Sequence, residues 1–394
     1  DVRQDGVRYI VEVKSHKSKV ISQVDRIYFK SDPYPRYEYG AVLQITCKLQ
    51  KPEPFDGFRY DMYLLKFGVT ATCQRPQIEK IGTGDGNQIL EKIFALKQTT
   101  ANRINELWHE PYAGFMSGLL YGYRGGLGAL TEQFNRTGVT HIIAISGYNI
   151  SIIARILLTV CIYLWIPRKK AFWLVTAGLI LFVIFAGLTG SVVRAGIMGF
   201  LAILAKQIGR VNRMGNALAF TAVLMTLHNP FLLVWDAGFQ LSFLATLGLI
   251  YISPLLEERY KKMPNLFGIK ETFITTISAI AATLPLTLYQ FGRLSLVAPI
   301  VNVLILWIIP WLMLLGFASV VASFIFYPLG LGLSYVAWIG MKYVTAVVHW
   351  FAALPFAAEG VKMPLMVVVG VYLVGVIVVR KLMKAGSLKK YLSS

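Results

Sequence analysis

The sequence Thr137-Gly-Val-Thr-His-Ile-Ile-Ala-Ile-Ser-Gly-Tyr-Asn149 places a histidine, a serine, a glycine and an asparagine where a hydrophobic segment begins. More hydrophobic segments follow it, and several of them also contain polar side chains. An unpaired polar group in hydrocarbon is costly, so such side chains usually face protein or a water-filled cavity. The pattern therefore favours a membrane protein that moves a polar substrate over one whose helices serve only as an anchor.

The composition is typical of an integral membrane protein with a soluble part, since the chain is 56% hydrophobic with a mean hydropathy of +0.57. Membrane spans are predicted near residues 141–166, 171–189, 191–209, 215–233, 236–256, 272–290, 296–317, 331–353 and 364–383. Basic clusters fall in alternate loops, at residues 168–170, 206–213, 259–270 and 380–390. By the positive-inside rule these loops are cytoplasmic, so the N-terminal region is predicted to lie outside the cell membrane.

The N-terminal region differs in pattern from the rest. Short alternating runs predict strands at Val7–Val13, Val24–Lys30, Tyr39–Leu49, Phe67–Cys73 and Gln77–Ile81. About five short strands in so small a region predict a barrel or a sandwich. The fold class is therefore an α+β membrane protein, with a small β-barrel or sandwich domain at residues 1–99, a helical linker or amphipathic segment at 100–136, and a polytopic α-helical transmembrane domain at 137–394.

Two cysteines lie in the predicted β domain, at Cys47 and Cys73. They can form a disulfide if this domain faces an oxidising compartment, and the predicted orientation permits that. Two unrelated buried thiols are the alternative, and only geometry decides between them.

The segment that follows His141 contains Ser146, Gly147, Asn149 and Arg155. One interpretation is a discontinuous helix that lines a polar path, with Gly147 allowing the backbone to unwind. The other is a set of hydrogen bonds between helices that hold the bundle together. The spacing alone leaves both open.

Two later segments contain charges of opposite sign near the predicted outer ends of spans, Arg194 and Asp236, with Gln240 four residues after the aspartate. An ion pair between Arg194 and Asp236 is the expected arrangement, and its role is either structural or a contact with substrate. Farther on, hydroxyl and amide groups recur inside spans, at Thr272, Thr276, Thr283, Thr287 and Asn302. Such a face lines a wet cavity or packs against another helix.

The net charge of +19 fits an anionic partner such as nucleic acid, although basic cytoplasmic loops account for such an excess as well. The β domain mixes basic and aromatic residues, a combination that tracks phosphates and stacks bases, but aromatics also form the core of small β domains. The candidate nucleic-acid contacts there are Arg36, Lys48, Phe58, Arg59, Tyr60 and Lys66.

Catalytic patterns are absent from the sequence. His141 and Ser146 are poorly spaced for one helical face, and no nearby carboxylate orients the histidine as a catalytic triad requires. The five histidines and three cysteines form no zinc-binding pattern. We therefore predict that the chain is not an enzyme and uses no cofactor or metal.

Several segments resemble the ComEC family of competence proteins, which are DNA-uptake channels of the bacterial inner membrane. The resemblance rests on Phe134-Asn-Arg-Thr-Gly-Val-Thr-His-Ile-Ile-Ala-Ile-Ser-Gly147, on Ser191-Val-Val-Arg-Ala-Gly-Ile-Met198, on residues 229–243, 284–292 and Asn302, and on residues 54–64 in the β domain. The resemblance implies an extracytoplasmic OB fold. In some members this fold contains a disulfide, which Cys47 and Cys73 would form here. A helical channel for single-stranded DNA would follow.

The resemblance has two departures. Tyr123 stands where the family commonly has an acidic residue, and the sequence ends at Ser394 without the metallo-β-lactamase-like domain of many members. We accordingly expect no nuclease activity from this chain. Because the first residue is Asp1 rather than methionine, we also expect a longer product with a membrane segment upstream.

The resulting hypothesis is a channel that translocates single-stranded DNA into the cytoplasm during natural transformation. His141, Ser146, Gly147 and Asn149 would shape a broken helix at the pore, while Arg155, Arg194 and Arg293 attract phosphates. Asp236 would orient an arginine, and Gln240 and Asn302 would complete the path. Expected partners are single-stranded DNA, the lipid bilayer, a DNA receptor, a nuclease, and cytoplasmic DNA-binding or ATPase proteins. The alternatives are a small-molecule or ion transporter with a β cap, and a membrane scaffold for the DNA-uptake machinery.

Overall fold

The structure is a computed structural model of the 394-residue chain. It describes residues 2–3, 6–14, 26–32, 34–54, 59–84, 86–123, 125–211, 213–262 and 268–384. A small mixed sheet forms the N-terminal part, and the rest of the described chain is mostly helical. This order of elements agrees with the predicted α+β class.

Five strands form the N-terminal sheet in the order β1-β2-β3-β5-β4. Strands β3 and β5 are parallel, and the other neighbours are antiparallel. The strands are β1 (Val2–Arg3), β2 (Gly6–Glu12), β3 (Arg26–Ser31), β4 (Val42–Gln50) and β5 (Ala71–Gly82), and a short helix, α1 (Tyr60–Leu65), lies between β4 and β5. Among the described residues β1 and β4 are the edges of the sheet, so closure into an OB barrel remains a prediction.

Strand β5 corrects the predicted pair of strands at 67–73 and 77–81. Arg75 and Pro76 lie between the two predicted strands, and a proline lacks the N–H group that a strand inside a sheet donates. The structure keeps one strand, because β4 pairs with it on both sides of these two residues, and the register shift between Thr46 and Lys48 absorbs them as a bulge. Arg75 has a positive φ of 47° there.

A disulfide joins Cys47 of β4 to Cys73 of β5, with a Cα–Cα distance of 5.8 Å. Cys73 also lies in the buried core of the sheet. The covalent link therefore fixes the pairing of the two longest strands.

The next helices are α2 (Gln88–Leu107), α3 (Tyr112–Tyr121) and α4 (Leu130–Arg136), followed by a 3-10 turn at Thr140–Ile142. The side chain of Asn87 accepts hydrogen bonds from the N–H groups of Ile89 and Leu90, which fixes the start of α2. Helix α2 continues from there to Leu107, so it crosses residue 99, at which the first domain was predicted to end.

The apolar region contains α5 (Gly147–Tyr163), α6 (Arg168–Ala186), α7 (Gly190–Gln207), α8 (Met214–His228), α9 (Phe231–Trp235), α10 (Ala237–Tyr251), α11 (Ser253–Arg259), α12 (Ile269–Phe291), α13 (Ala298–Ile305), α14 (Ile309–Ile325), α15 (Tyr327–Ala352) and α16 (Leu365–Lys384). A two-stranded ribbon, β6 (Arg293–Ser295) with β7 (Ala358–Gly360), links its last third. By length and composition, five helices in the described chain can cross a membrane, or six if α13 and α14 form one bent span.

The predicted spans 141–166 and 296–317 are broken in the structure. The first is divided by the 3-10 turn and an extended residue, Ser146, so that its helix begins only at Gly147. The second bends by 48° between α13 and α14. Pro310 lies in the first turn of α14, where a proline starts a helix readily but cannot continue the preceding one.

Two clusters of buried apolar residues organise the helices. One draws on α2, α3, α4, α13, α14 and α15, with Phe115, Phe134 and Ile305 fully buried. The other draws on α5, α6 and α7, around Ile150 and Val175. Helices α10 and α12 pack so closely that a Cβ on Gly248 would collide with the carbonyl oxygen of Ser278.

We predict that replacing both disulfide cysteines, as Cys47→Ala with Cys73→Ala, lowers the stability of the sheet by about 3 kcal/mol, because a link across 26 residues restricts the unfolded chain. Hydrogen–deuterium exchange of β4 and β5 in the full chain measures this effect. Cys161→Ala, which changes a buried thiol in α5, is the control and should leave that exchange unchanged. Equal protection in the double variant would contradict the prediction.

Candidate functional site

A cavity of about 3390 Å³ extends from the β domain into the helical region. Its wall includes Arg36 and Tyr39 from the β domain, members of both apolar clusters such as Ile142 and Ile150, and Thr272 near the start of α12. The cavity is therefore one continuous space between the two clusters, and it is open to the β domain.

Helix α12 shows how deep the cavity is. Thr272, Thr276, Thr283 and Thr287 all line it. From Thr272 to Thr287 the helix advances by about fifteen residue steps, which is about 22 Å at 1.5 Å per residue. The hydrocarbon core of a bilayer is about 30 Å thick, so the stripe follows most of that distance. The hydroxyls of Thr283 and Thr287 donate to Ala279 and Thr283 carbonyls, which leaves their oxygen lone pairs for the cavity.

The discontinuity before α5 borders the same cavity. The imidazole of His141 is exposed to it, and the Ser146 hydroxyl donates to Oδ1 of Asn149 at 3.0 Å. The buried Asn149 amide in turn donates to the Leu119 carbonyl at 3.3 Å. The Ser146–Asn149 pair thus connects the start of α5 to α3 of the other cluster.

Arg194, on α7, is a buried cation of this wall, with only 7% of its surface exposed. Its Nε donates to the Ser242 hydroxyl at 2.6 Å, and Nη1 donates to the Thr246 hydroxyl at 2.7 Å. Its Nη2 lies 3.1 Å from where a Cβ on Gly147 would stand, so the absence of a side chain at that position makes room for the guanidinium.

The predicted ion pair between Arg194 and Asp236 is wrong. Asp236 precedes α10 and accepts from the Phe239 N–H at 2.8 Å, as a helix cap does. Its other oxygen, Oδ2, lies 2.8 Å from Nζ of Lys66 in the β domain. Arg194 instead lies beside later turns of α10, where Ser242 and Thr246 are. Among the described residues no carboxylate forms an ion pair with Arg194.

The remaining predicted path residues divide into three kinds of environment. Arg155 lines the cavity, is exposed to it and has no ion-pair partner among the residues of known placement. Arg293 lines it as well but pairs with Glu132 at 3.0 Å. The buried Asn302 lines the cavity, and its Oδ1 atom has no hydrogen-bond partner among the described residues.

Gln240 does not line the cavity. Its amide donates to the Leu233 and Val234 carbonyls at the end of α9.

The predicted contacts of the β domain also separate. Arg36, Tyr60 and Lys66 line the cavity, whereas Lys48 and Arg59 do not, and Phe58 lies outside the described residues. Arg59 pairs with Asp61 at 2.8 Å.

The Arg36 guanidinium lies 5.3 Å from the centre of the exposed Tyr34 ring, so a cation and an aromatic face lie together at the mouth of the cavity.

Two cavity residues were not identified from the sequence, Lys97 of α2 and Glu110 of the turn before α3. The Lys97 ammonium lies 5.3 Å from the centre of the Tyr121 ring, and burial lowers its pKa. Oε2 of Glu110 accepts from the Gly114 N–H at 2.9 Å, and burial raises the pKa of this carboxyl. No motif marks either residue, because their positions depend on how α2 and α3 pack.

Several apolar helices, together with a cavity that a stripe of threonines follows over most of the thickness of a bilayer, fit a multi-pass membrane protein. A family model described as "Competence protein" matches residues 119–384. The chain therefore belongs to the competence protein family, as the resemblance suggested.

Among curated proteins, ComE operon protein 3 of Bacillus subtilis (strain 168) is 26% identical over 279 residues. This match covers 68% of the chain but only 34% of the relative, so the chain spans about a third of that protein. No solved structure matches the chain significantly.

We predict that Glu110→Gln flattens the pH dependence of stability. A raised carboxyl pKa means that the folded chain holds this proton more tightly than the unfolded chain does. The resulting stability is present below the ordinary value of 4.5 and is lost as pH rises through the folded pKa. Thermal unfolding in detergent from pH 4 upward measures it. Glu79→Gln, at an exposed position of β5, is the control, and identical profiles for Glu110→Gln and wild type would refute the prediction.

Proposed function

We propose that this chain conducts single-stranded DNA across the bacterial inner membrane during natural transformation, with the β domain guiding the strand from outside. Membership of the competence protein family supports a role in DNA uptake. The observation that carries the channel proposal is Arg194, a buried guanidinium that two neutral hydroxyls hold in the wall of a deep cavity.

The free energy of a buried cation explains why this arrangement points to an anionic substrate. Removing a cation from water costs several kcal/mol, and hydroxyl groups offset only part of that cost. A structural arginine would have a carboxylate beside it, and the nearby Asp236 is bound to Lys66 instead. A phosphate that passes through the cavity would supply the missing counter-charge.

Conduction also requires weak contacts, because a polyanion that binds tightly at many sites does not move. The hydroxyl stripe of α12 offers neutral hydrogen-bonding groups over about 22 Å of helix. Arg155 and Arg194 lie on different helices, α5 and α7, and Arg293 is already neutralised by Glu132. The wall of the cavity therefore offers few unpaired cationic side chains and many neutral groups that can donate or accept hydrogen bonds.

The β domain contributes aromatic and basic groups at the mouth, such as Tyr34, Arg36 and Tyr60. Stacking on tyrosine faces tolerates any base, as an uptake channel requires. In this proposal the domain is an extracytoplasmic OB fold, the chain performs no catalysis, and a DNA receptor, a nuclease and a cytoplasmic DNA-binding or ATPase partner act on either side.

A transporter of a small anion would use the same arginine, so the test must use a polymer. The full chain is reconstituted in liposomes that enclose a single-strand-binding protein, and external nuclease removes strands that have not entered. Labelled single-stranded DNA that survives reports passage. A small-anion transporter would give no protected strand with the wild-type chain.

We predict that Arg194→Ala reduces this passage by about tenfold or more, since a hydrogen bond to a charged group contributes about 1.5–3 kcal/mol. Arg155→Ala should reduce it less, because the exposed Arg155 retains more water. Arg210→Ala, which removes an exposed arginine outside the cavity, is the matched control and should match wild type. If both cavity variants remain folded and pass DNA at the wild-type rate, the proposal fails.

A further inference from the structure

The β domain touches the helical region through an ion pair between residues 170 positions apart. Nζ of Lys66 lies 2.8 Å from Oδ2 of Asp236, and only 9% and 12% of the two side chains are exposed. Exposed ion pairs contribute little, but a pair this buried is costly to break, because one charge is left without its partner.

Two further contacts join the same two segments. The Asn229 amide donates to the Lys66 carbonyl at 2.8 Å, and the Arg59 guanidinium lies 5.6 Å from the centre of the Trp235 ring. Within the first segment, the Lys66 ammonium lies 4.1 Å from the centre of the Tyr63 ring. The junction therefore consists of residues 59–67, around α1, and residues 229–236, around α9.

We propose that the Lys66–Asp236 pair is a latch that holds the β domain over the cavity mouth, and that both are positioning residues rather than DNA contacts. This inference rests on the proposed channel function. It reassigns Lys66, whose ammonium is already bound, and Asp236, which accepts from the β domain instead of from Arg194.

Helix α10 connects the Lys66–Asp236 pair to the guanidinium of Arg194. Asp236 caps the start of α10, and the same helix presents Ser242 and Thr246 to Arg194. A shift of Asp236 would therefore move the start of the helix that holds the guanidinium. On the other side of the pair, Tyr60 and Tyr63 line the cavity next to Lys66.

The pair also removes a charge that would oppose a polyanion. Asp236 lines the cavity wall, and an unpaired carboxylate there would repel a passing phosphate. Lys66 neutralises it at the mouth. The latch thus has two consequences for the same function, correct placement of the β domain and neutralisation of the Asp236 carboxylate.

The experiment uses the full chain in liposomes and compares Lys66→Met with Asp236→Asn. Lys66→Met keeps the apolar stem, and Asp236→Asn keeps an oxygen that can cap α10 through the Phe239 N–H. Hydrogen–deuterium exchange at residues 60–66 and 229–236 should rise about tenfold or more in both variants. Passage of single-stranded DNA should fall in both, and more in Lys66→Met, which leaves a free carboxylate at the mouth.

Glu106→Gln is the matched control, because it breaks the exposed Arg103–Glu106 pair on α2 and should change neither readout.

Unchanged hydrogen–deuterium exchange at the junction in both variants overturns the latch. Raised exchange with wild-type passage overturns the positioning role while leaving the contact in place. If the wild-type chain passes no DNA at all, the channel proposal fails by itself, and the exchange data still decide whether the latch exists. Should Lys66→Met fail to fold, Asp236→Asn carries both readouts.

Discussion

The guanidinium of Arg194 imposes the central constraint on this protein, because a buried cation must be compensated by something. Two hydroxyls from α10 compensate it in part, and Gly147 leaves the space that it occupies. Arg194 lies on α7, its two hydroxyl partners on α10 and Gly147 on α5, so three helices meet at this one side chain. A carboxylate at the same place would have closed the site as a structural ion pair and left no reason for an anion to approach.

The cavity follows from how the apolar surface is divided. Each of the two buried clusters packs its own helices, and the wall of the space between them includes hydroxyl and amide groups among apolar side chains. Polar groups that face such a space keep contact with water, which a single continuous apolar core would not permit. The Ser146–Asn149 pair and the Leu119 carbonyl connect the two clusters at the point where the helix before α5 is interrupted.

Sequence reasoning succeeded where a pattern is local. The hydroxyl stripe of α12 could be predicted from helical spacing, and the cavity lies along it. Sequence reasoning failed where the partner is distant along the chain. Asp236 has the charge and the predicted position in its span to pair with Arg194, but it forms an ion pair with Lys66 of the β domain. Sequence reasoning also divided β5 into two strands, because a bulge between paired strands resembles a break when only one strand is considered. Gln240 shares a helical face with Asp236 but bonds to α9, since the short turn before α10 brings carbonyls within its reach.

The sequence by itself determined that the chain has a β region followed by apolar helices, because hydrophobic periodicity reflects local burial. It also determined the family, through blocks that a family model matches over residues 119–384. Only the tertiary structure decided that one cavity joins the β domain to α12, that Arg194 has hydroxyl rather than carboxylate partners, and that Lys66 holds Asp236. The reason is physical: the energy of a charged or polar side chain depends on neighbours that the fold brings together, and spacing along the chain does not encode them.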